Sequence, residues 1–353
     1  MRNISSLTLP VCALGLIVGA SAAEAACTPT GFIRDSINLT AAMINPHGTV
    51  TGDVDATGCN IGIYYSTGHG RVTLANVHGA NYFGIVNNGA DVDISLSNIS
   101  DIGEKPFNGT QHGVGIYFAF GASSRGDIRG NIVTNYQKGG IVVNGNTGTT
   151  DITNNTVIGL GPVNFIAQNG IQAGYGANTN IKNNFVSGNS YTGANLAASG
   201  GILVVGGACY GGNATVNTDV DNNIGVNNDV GVWFTNLDAS CNPVSTPTKN
   251  TADGNVLINN ELNNKTGNGP TQGYQAGIAD QGDFDVIKNN STCGPGYTPP
   301  GDATIAIFAI DTTLTNNPKL QHNVTCQTGS SPHWHATARS VSAGRKHQAH
   351  PSK

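Results

Sequence analysis

One loop, Asp101-Ile102-Gly103-Glu104-Lys105-Pro106-Phe107-Asn108-Gly109-Thr110-Gln111-His112, sets acid, base and cation within a few positions of one another. Further on, Tyr136-Gln137-Lys138 forms a short bridge carrying a phenol and an amine, with Arg129 just before it. Elimination from a polyuronate needs a base to take the proton beside the sugar carboxylate, and a cation to hold that carboxylate as charge builds. His112, Lys138 or Tyr136 would serve as the base, and Lys105 or Arg129 as the clamp. Hydrolysis needs two facing carboxylates, for which Glu104 and Asp101 are the nearest pair. The plain alternative is that these are ordinary polar loop residues.

What must hold these residues is a repeat. Gly62-Ile63, Gly84-Ile85, Gly115-Ile116, Gly140-Ile141, Gly170-Ile171, Gly201-Ile202, Gly231-Val232 and Gly277-Ile278 recur, with Thr304-Ile305 as a weaker copy. The period is irregular, as expected of stacked units with loops of variable length. Before each strand comes an Asn: Asn76, Asn98, Asn131, Asn155, Asn184, Asn223, Asn290 and Asn317. Ile128, Ile152, Ile181, Val220, Ile287 and Leu314 sit three residues before theirs, while Leu74 and Leu96 sit two before, which predicts a shorter turn there. An Asn at one corner of every unit can bond to those above and below, one strand spacing away. Asn also tolerates the left-handed backbone of a sharp corner. No unit buries its apolar face alone.

The repeat resembles the right-handed parallel β-helix superfamily, which includes pectate lyases, polysaccharide hydrolases, tailspikes and many bacterial repeat proteins. The resemblance spans roughly residues 48 to 325 and rests on the fold repeat, with no catalytic signature. It implies an all-β, single-stranded solenoid of about nine coils, and more about architecture than chemistry.

Alternation within each strand sends Ile63, Ile85, Ile116, Ile141, Ile171, Ile202 and Val232 inward and Tyr64, Val86, Tyr117, Val142, Gln172, Leu203 and Trp233 outward. The outward row is either a sugar-stacking platform, with Tyr64 and Trp233 at its ends, or a second core beneath the loops; exposure of Tyr117 and Trp233 decides between them. The longer insertions, Ser100 to Gly113, Ile158 to Asn169, Gly188 to Gly200 and Asn264 to Ala276, all fall between the Asn corner and the Gly-Ile strand. Together they would rise on one side as a wall or groove.

No cofactor is required by this scheme. The acidic pairs Asp91 with Asp93, Asp219 with Asp221, and Asp283 with Asp285 could hold calcium, or simply solubilise a face. His333-Trp334-His335 could bind a transition metal but lies in a stretch without fixed geometry. No phosphate-binding glycine fingerprint or nucleophile elbow occurs.

The ends read differently. Residues 1–25 resemble a secretory signal, with Arg2, the apolar run Leu9 to Ile17 and the small-x-small site Ala23-Glu24-Ala25; the apolar run is too short to span a bilayer. Asp35 to Met43 predicts a short helix with Asp35 or Ser36 as cap, closing the N-terminal end within a cap of residues 26–47. The repeat domain follows over 48–328, then a basic, His-rich tail over 329–353 expected to be disordered. Cys27 and Cys59, Cys209 and Cys241, and Cys293 and Cys326 are each about one unit apart, which favours three bridges and an oxidising compartment, secreted or periplasmic.

Charged residues make up 10% of the chain, and residues 27–328 carry 11 basic against 20 acidic side chains. So acidic a body disfavours nucleic acid as a partner. The expected partner is a polysaccharide or cell-surface glycan, met by a monomer without membrane insertion and bound or cleaved in a lyase-like manner. The alternative is a non-catalytic surface, adhesive or structural rod.

Overall fold

The computed structural model describes residues 26–264, 273–298, 305–326 and 348–349. Residues 1–25, where an export signal is expected, Thr304, the centre of the 264–276 loop and nearly all of the tail, including His333-Trp334-His335, lie outside the described residues. Within them the chain is all-β: an eleven-stranded sheet and an eighteen-stranded sheet, with a 3-10 turn at Ala208–Tyr210 and no α-helix. Gln348–Ala349 pairs in parallel with Ala197–Ala198.

Each repeat adds one strand to the first sheet and a pair of short strands to the second. Ile128–Arg129, Ile132–Tyr136 and Gly139–Asn144 make one such set, pairing in parallel with Thr150–Thr153, Thr156–Val163 and Asn169–Gly174 of the next. The Ile column keeps its register: Ile63 pairs with Ile85, Ile85 with Ile116, Ile116 with Ile141, Ile141 with Ile171, and Ile171 with Ile202. These residues share one buried core with Ile128, Val133 and their counterparts from the second sheet. Glycine precedes the Ile because the sheets converge there. A Cβ on Gly140 would stand 2.4 Å from Val157 Cγ1 and 2.6 Å from the Gly170 carbonyl oxygen. The last member of the column is Ile310, paired with Ile278, rather than the Thr304-Ile305 copy expected from sequence.

The Asn column is buried and continuous. Asn131, Asn155, Asn184 and Asn223 each donate Nδ2 to the next Oδ1 at 3.0 Å, through to Asn255, and Asn255 and Asn290 continue the chain at 2.9 Å to Asn323. The second Nδ2 hydrogen goes to a main-chain carbonyl of the preceding repeat, as from Asn184 to Ile152. Asn255 and Asn323 therefore belong, and Asn317, which instead donates to Asp283, does not. In the first two repeats the column holds Ala75 and Ser97, three residues after Val72 and Ile94, so the turn is not shorter there. Asn76 and Asn98 bond to each other one position further on. The left-handed backbone falls on the residue before the ladder: Asn154, Asn183, Asn222 and Asn289, but also Leu74 and Leu96. Those two leucines are 67% and 62% exposed, which is why they are not core residues.

The expected N-terminal helix is a β-hairpin. Thr28–Arg34 (β1) and Ile37–Ile44 (β2) pair antiparallel around Asp35-Ser36, both with positive φ, the two-residue turn that suits hairpin twist. The apolar residues Ile37, Leu39, Ala41 and Met43 recur every second position, a strand period that competes with the helical stripe. β2 pairs in parallel with Ile61–Tyr65 and so begins the first sheet. Disulfides join Cys27 to Cys59, Cys209 to Cys241 and Cys293 to Cys326, as the spacing indicates.

Replacing Asn184 by Ala removes two donated and two accepted bonds inside the ladder and leaves their partners buried, at a cost of about 3 kcal/mol or more. Asn76→Ala, at the half-buried pair outside the ladder, should cost about 1 kcal/mol or less. Chemical denaturation of both variants checks the contrast.

Candidate functional site

The loop between Asn98–Ile102 and Val114–Phe118 is pinned by one buried side chain, Gln137. Its Oε1 accepts from the amides of Glu104 at 3.2 Å and Asn108 at 3.1 Å. Its Nε2 donates to the Thr110 carbonyl and hydroxyl, both at 2.8 Å, and to the His112 carbonyl at 3.2 Å. The two ends of the loop close over the same side chain: a Cβ on Gly103 or Gly113 would stand 2.5 or 2.6 Å from Gln137 Cβ.

So held, the loop brings two of the expected residues together. His112 Nε2 lies 2.7 Å from Glu104 Oε1, with the imidazole 8% exposed and the carboxylate 31%. The imidazole stacks on Tyr82, ring centroids 3.7 Å apart. Its Nδ1 is 4.0 Å from Asp35 Oδ2, carried in by the β1–β2 turn and 71% exposed. Partial burial, the charges of Asp35 and Glu104, and a hydrogen bond to Asp35 raise the Tyr82 phenol above its ordinary range. An imidazole hydrogen-bonded to one carboxylate and near a second is an arrangement that general acid–base chemistry uses. Asp35 escaped the sequence reading because it was assigned to a helix cap. Tyr82 had only its place before Gly84-Ile85 to mark it.

The other expected residues do not join this pair. Tyr136 is buried, donating its hydroxyl to Asn189 Oδ1 at 2.6 Å, and burial drives its phenol far above the ordinary range. Lys138 is also buried; its Nζ donates to the Ala167 carbonyl at 2.7 Å, and burial lowers its pKa to about 7. Neither can reach a substrate at the surface. Lys105 forms an ion pair with Asp101, which also accepts from Asn135, and its ammonium sits 4.8 Å over the Phe107 ring. Arg129 pairs with Asp127 on the other limb of the second sheet, across the Asn turn from the loop.

Tyr117 and Trp233 do point away from the Ile core, but each is only 1% exposed. Tyr117 stacks on Phe83 with centroids 4.8 Å apart, and its hydroxyl accepts from Arg34 at 3.2 Å, in a cluster with Phe32, Leu39, Tyr64 and Tyr82. Trp233 packs with Tyr175, Leu203, Tyr210 and Tyr274 beside the Cys209–Cys241 bridge. The outward row is thus a second core, and the sugar-stacking platform is not formed. Alternation specified the side and could not say what covers it.

Of the acidic pairs, Asp91 and Asp93 face His69 and Arg71 at 3.4 and 3.9 Å, and Asp219 and Asp221 share Lys182 at 3.6 and 3.0 Å. Among the described residues no three His, Cys, Asp or Glu side chains converge as a metal site would require.

Gln137→Leu should free the loop: amide exchange at Glu104 and Asn108 speeds by an order of magnitude or more, while the Asn223 amide in the ladder keeps its protection. Lys138→Met tests the buried amine. Its folded pKa lies below its unfolded value, so the contribution of Lys138 to stability is least favourable below about pH 7 and improves from there toward pH 10. The variant lacks this dependence, and its advantage, largest at pH 6, should shrink by pH 9.5 in chemical denaturation. No protein-family model matches the chain, and no curated protein matches it.

Proposed function

We propose that this is an exported right-handed parallel β-helix of about nine coils that binds a polysaccharide on its loop side, with Glu104–His112 as the proton-transfer pair at the contact. The solenoid reading is supported by two parallel sheets that share one core and by a repeat that contributes to both. Export is supported by three disulfides, which persist in oxidising compartments. Among the described residues no helix is long and apolar enough to cross a membrane.

The observation that carries the functional reading is the 2.7 Å Glu104–His112 contact, held in a loop by a dedicated buried amide and flanked by Tyr82 and Asp35. Its surroundings select the glycan. Asp35 and Glu104 are acidic, Lys105 is neutralised by Asp101, and Arg34 is engaged with Tyr117. Such a site disfavours polyuronates and favours neutral or amine-bearing sugars. Lyase chemistry on a uronate loses its clamp, since Lys105 is paired with Asp101 and Arg129 is remote.

The burial of Lys138 and Tyr136 also supports a second reading, a non-catalytic glycan-binding or structural rod that presents the same loops. A panel of neutral, amine-bearing and uronate polysaccharides separates the two. Retention on a neutral or amine-bearing glycan, weakened at least tenfold by Glu104→Gln or His112→Ala without loss of melting temperature, is expected. Reducing-sugar release lost in the same variants would make the protein an enzyme. Binding that survives both substitutions would remove the pair from the site.

A further inference from the structure

Toward the C-terminal end of the sheets, two carboxyl groups meet in the interior without a cation. Asp280 lies on Gly273–Gln281 on the same face as Ile278, so it enters the core where Phe234 stands one repeat earlier. Asp285 enters two residues before the core residue Ile287. They are 1% and 0% exposed. Asp285 Oδ1 accepts from Thr248 Oγ1 at 2.7 Å and the Asn250 amide at 2.6 Å, and Asp280 Oδ1 accepts from the Gly282 amide at 3.0 Å. The remaining oxygens, Asp280 Oδ2 and Asp285 Oδ2, are buried with no donor of their own. Both close on Gly282: Asp280 Oδ1 accepts from its amide, and Asp285 Oδ2 lies 2.1 Å from where a Cβ on it would stand, so the two carboxyl groups are neighbours.

The groups packed around the pair offer no positive charge. Thr315 reaches Asp280 from the final segment, and Asp311, which accepts from the Tyr274 hydroxyl at 2.7 Å, adds a further negative charge. Asp283, in the same turn, accepts from Asn317. Lys288, the nearest cation along the chain, is paired with Asp253 at 3.2 Å, and Lys249 and Lys319 are exposed. Two carboxylates in contact in a dry interior cannot both ionise cheaply, whereas one proton turns one group into a donor for the other.

We propose that Asp280 and Asp285 share a single buried proton, and that its loss at alkaline pH loosens the end of the structure built from residues 273–298 and 305–326. Burial and the neighbouring carboxylates raise both groups above the ordinary range. A carboxyl raised in the folded state contributes stability that is fully present below about pH 4 and is lost as pH climbs through the raised values.

Asp285→Asn tests this, because its Nδ2 can donate permanently to Asp280 while its oxygen still accepts from Thr248 and Asn250. Folding constants of wild type and variant are measured by chemical denaturation from pH 5 to 9. Lys138 and Asp229, also buried and titratable, are common to both chains and cancel in the ratio. The expected result is a wild-type-to-variant ratio that falls with pH, by up to about tenfold per unit. A ratio that stays constant overturns the proposal. So does full rescue of the wild type at pH 9 by millimolar calcium, which would make the pair a metal site instead. Carbon-13 titration of the wild-type aspartate carboxyls needs no variant: one of the two should titrate above pH 6, and ordinary titration of both would contradict the shared proton.

Discussion

A buried side-chain amide is tolerable only when all its hydrogen-bonding capacity is used, and in this protein it is used by the same amide one repeat away. From Asn131 to Asn290 each Nδ2 gives one hydrogen to the next Oδ1, ending on Asn323, and the other to a main-chain carbonyl. The arrangement works only if successive turns are superimposed at one strand spacing. That requirement carries the rest: parallel register, one Ile per repeat behind the glycine, and insertions confined to places where they leave the stack undisturbed. Where the ladder runs out, at Ser97 and Ala75, a hydroxyl and then a methyl take its place, and the β1–β2 hairpin closes the sheet beyond.

Columns were the legible part of the sequence. The Gly-Ile pairs emerge correctly because two independent demands coincide in adjacent residues: no room for a Cβ, and an apolar side chain in the core. The cysteines are legible for a similar reason, since a spacing of one repeat places their backbones side by side. Asparagine was harder, because the type serves three jobs here. Asn154 takes the left-handed turn, Asn155 the ladder, and Asn76 a half-buried pair outside it, and sequence alone does not separate them. The Asp35-Ser36 turn was misread because its flanking apolar residues fit a helical stripe as well as a strand alternation.

The site was legible only as a loop. Glu104 and His112 were found because both lie within one insertion, and the short bridge at Tyr136-Lys138 was noticed for its brevity. What that bridge does was not legible: Gln137 anchors the loop, while its neighbours Tyr136 and Lys138 turn into the interior. Alternation gives the direction of a side chain and stays silent about what lies over it. For the same reason Tyr117 and Trp233, outward by alternation, proved to be the centres of a second core rather than a binding surface. The residues that complete the candidate site, Asp35 and Tyr82, come from two other stretches of chain.

The central claim is that ligand contact occurs at the Glu104–His112 pair rather than along the aromatic row. Nuclear magnetic resonance of selectively labelled His and Trp during titration with neutral or amine-bearing oligosaccharides tests it most directly. The account predicts that the His112 imidazole signals shift with saturation while the Trp233 indole signal stays in place. Movement of Trp233 with His112 unchanged would contradict it, and would return the binding surface to the row that Tyr117 and Trp233 define.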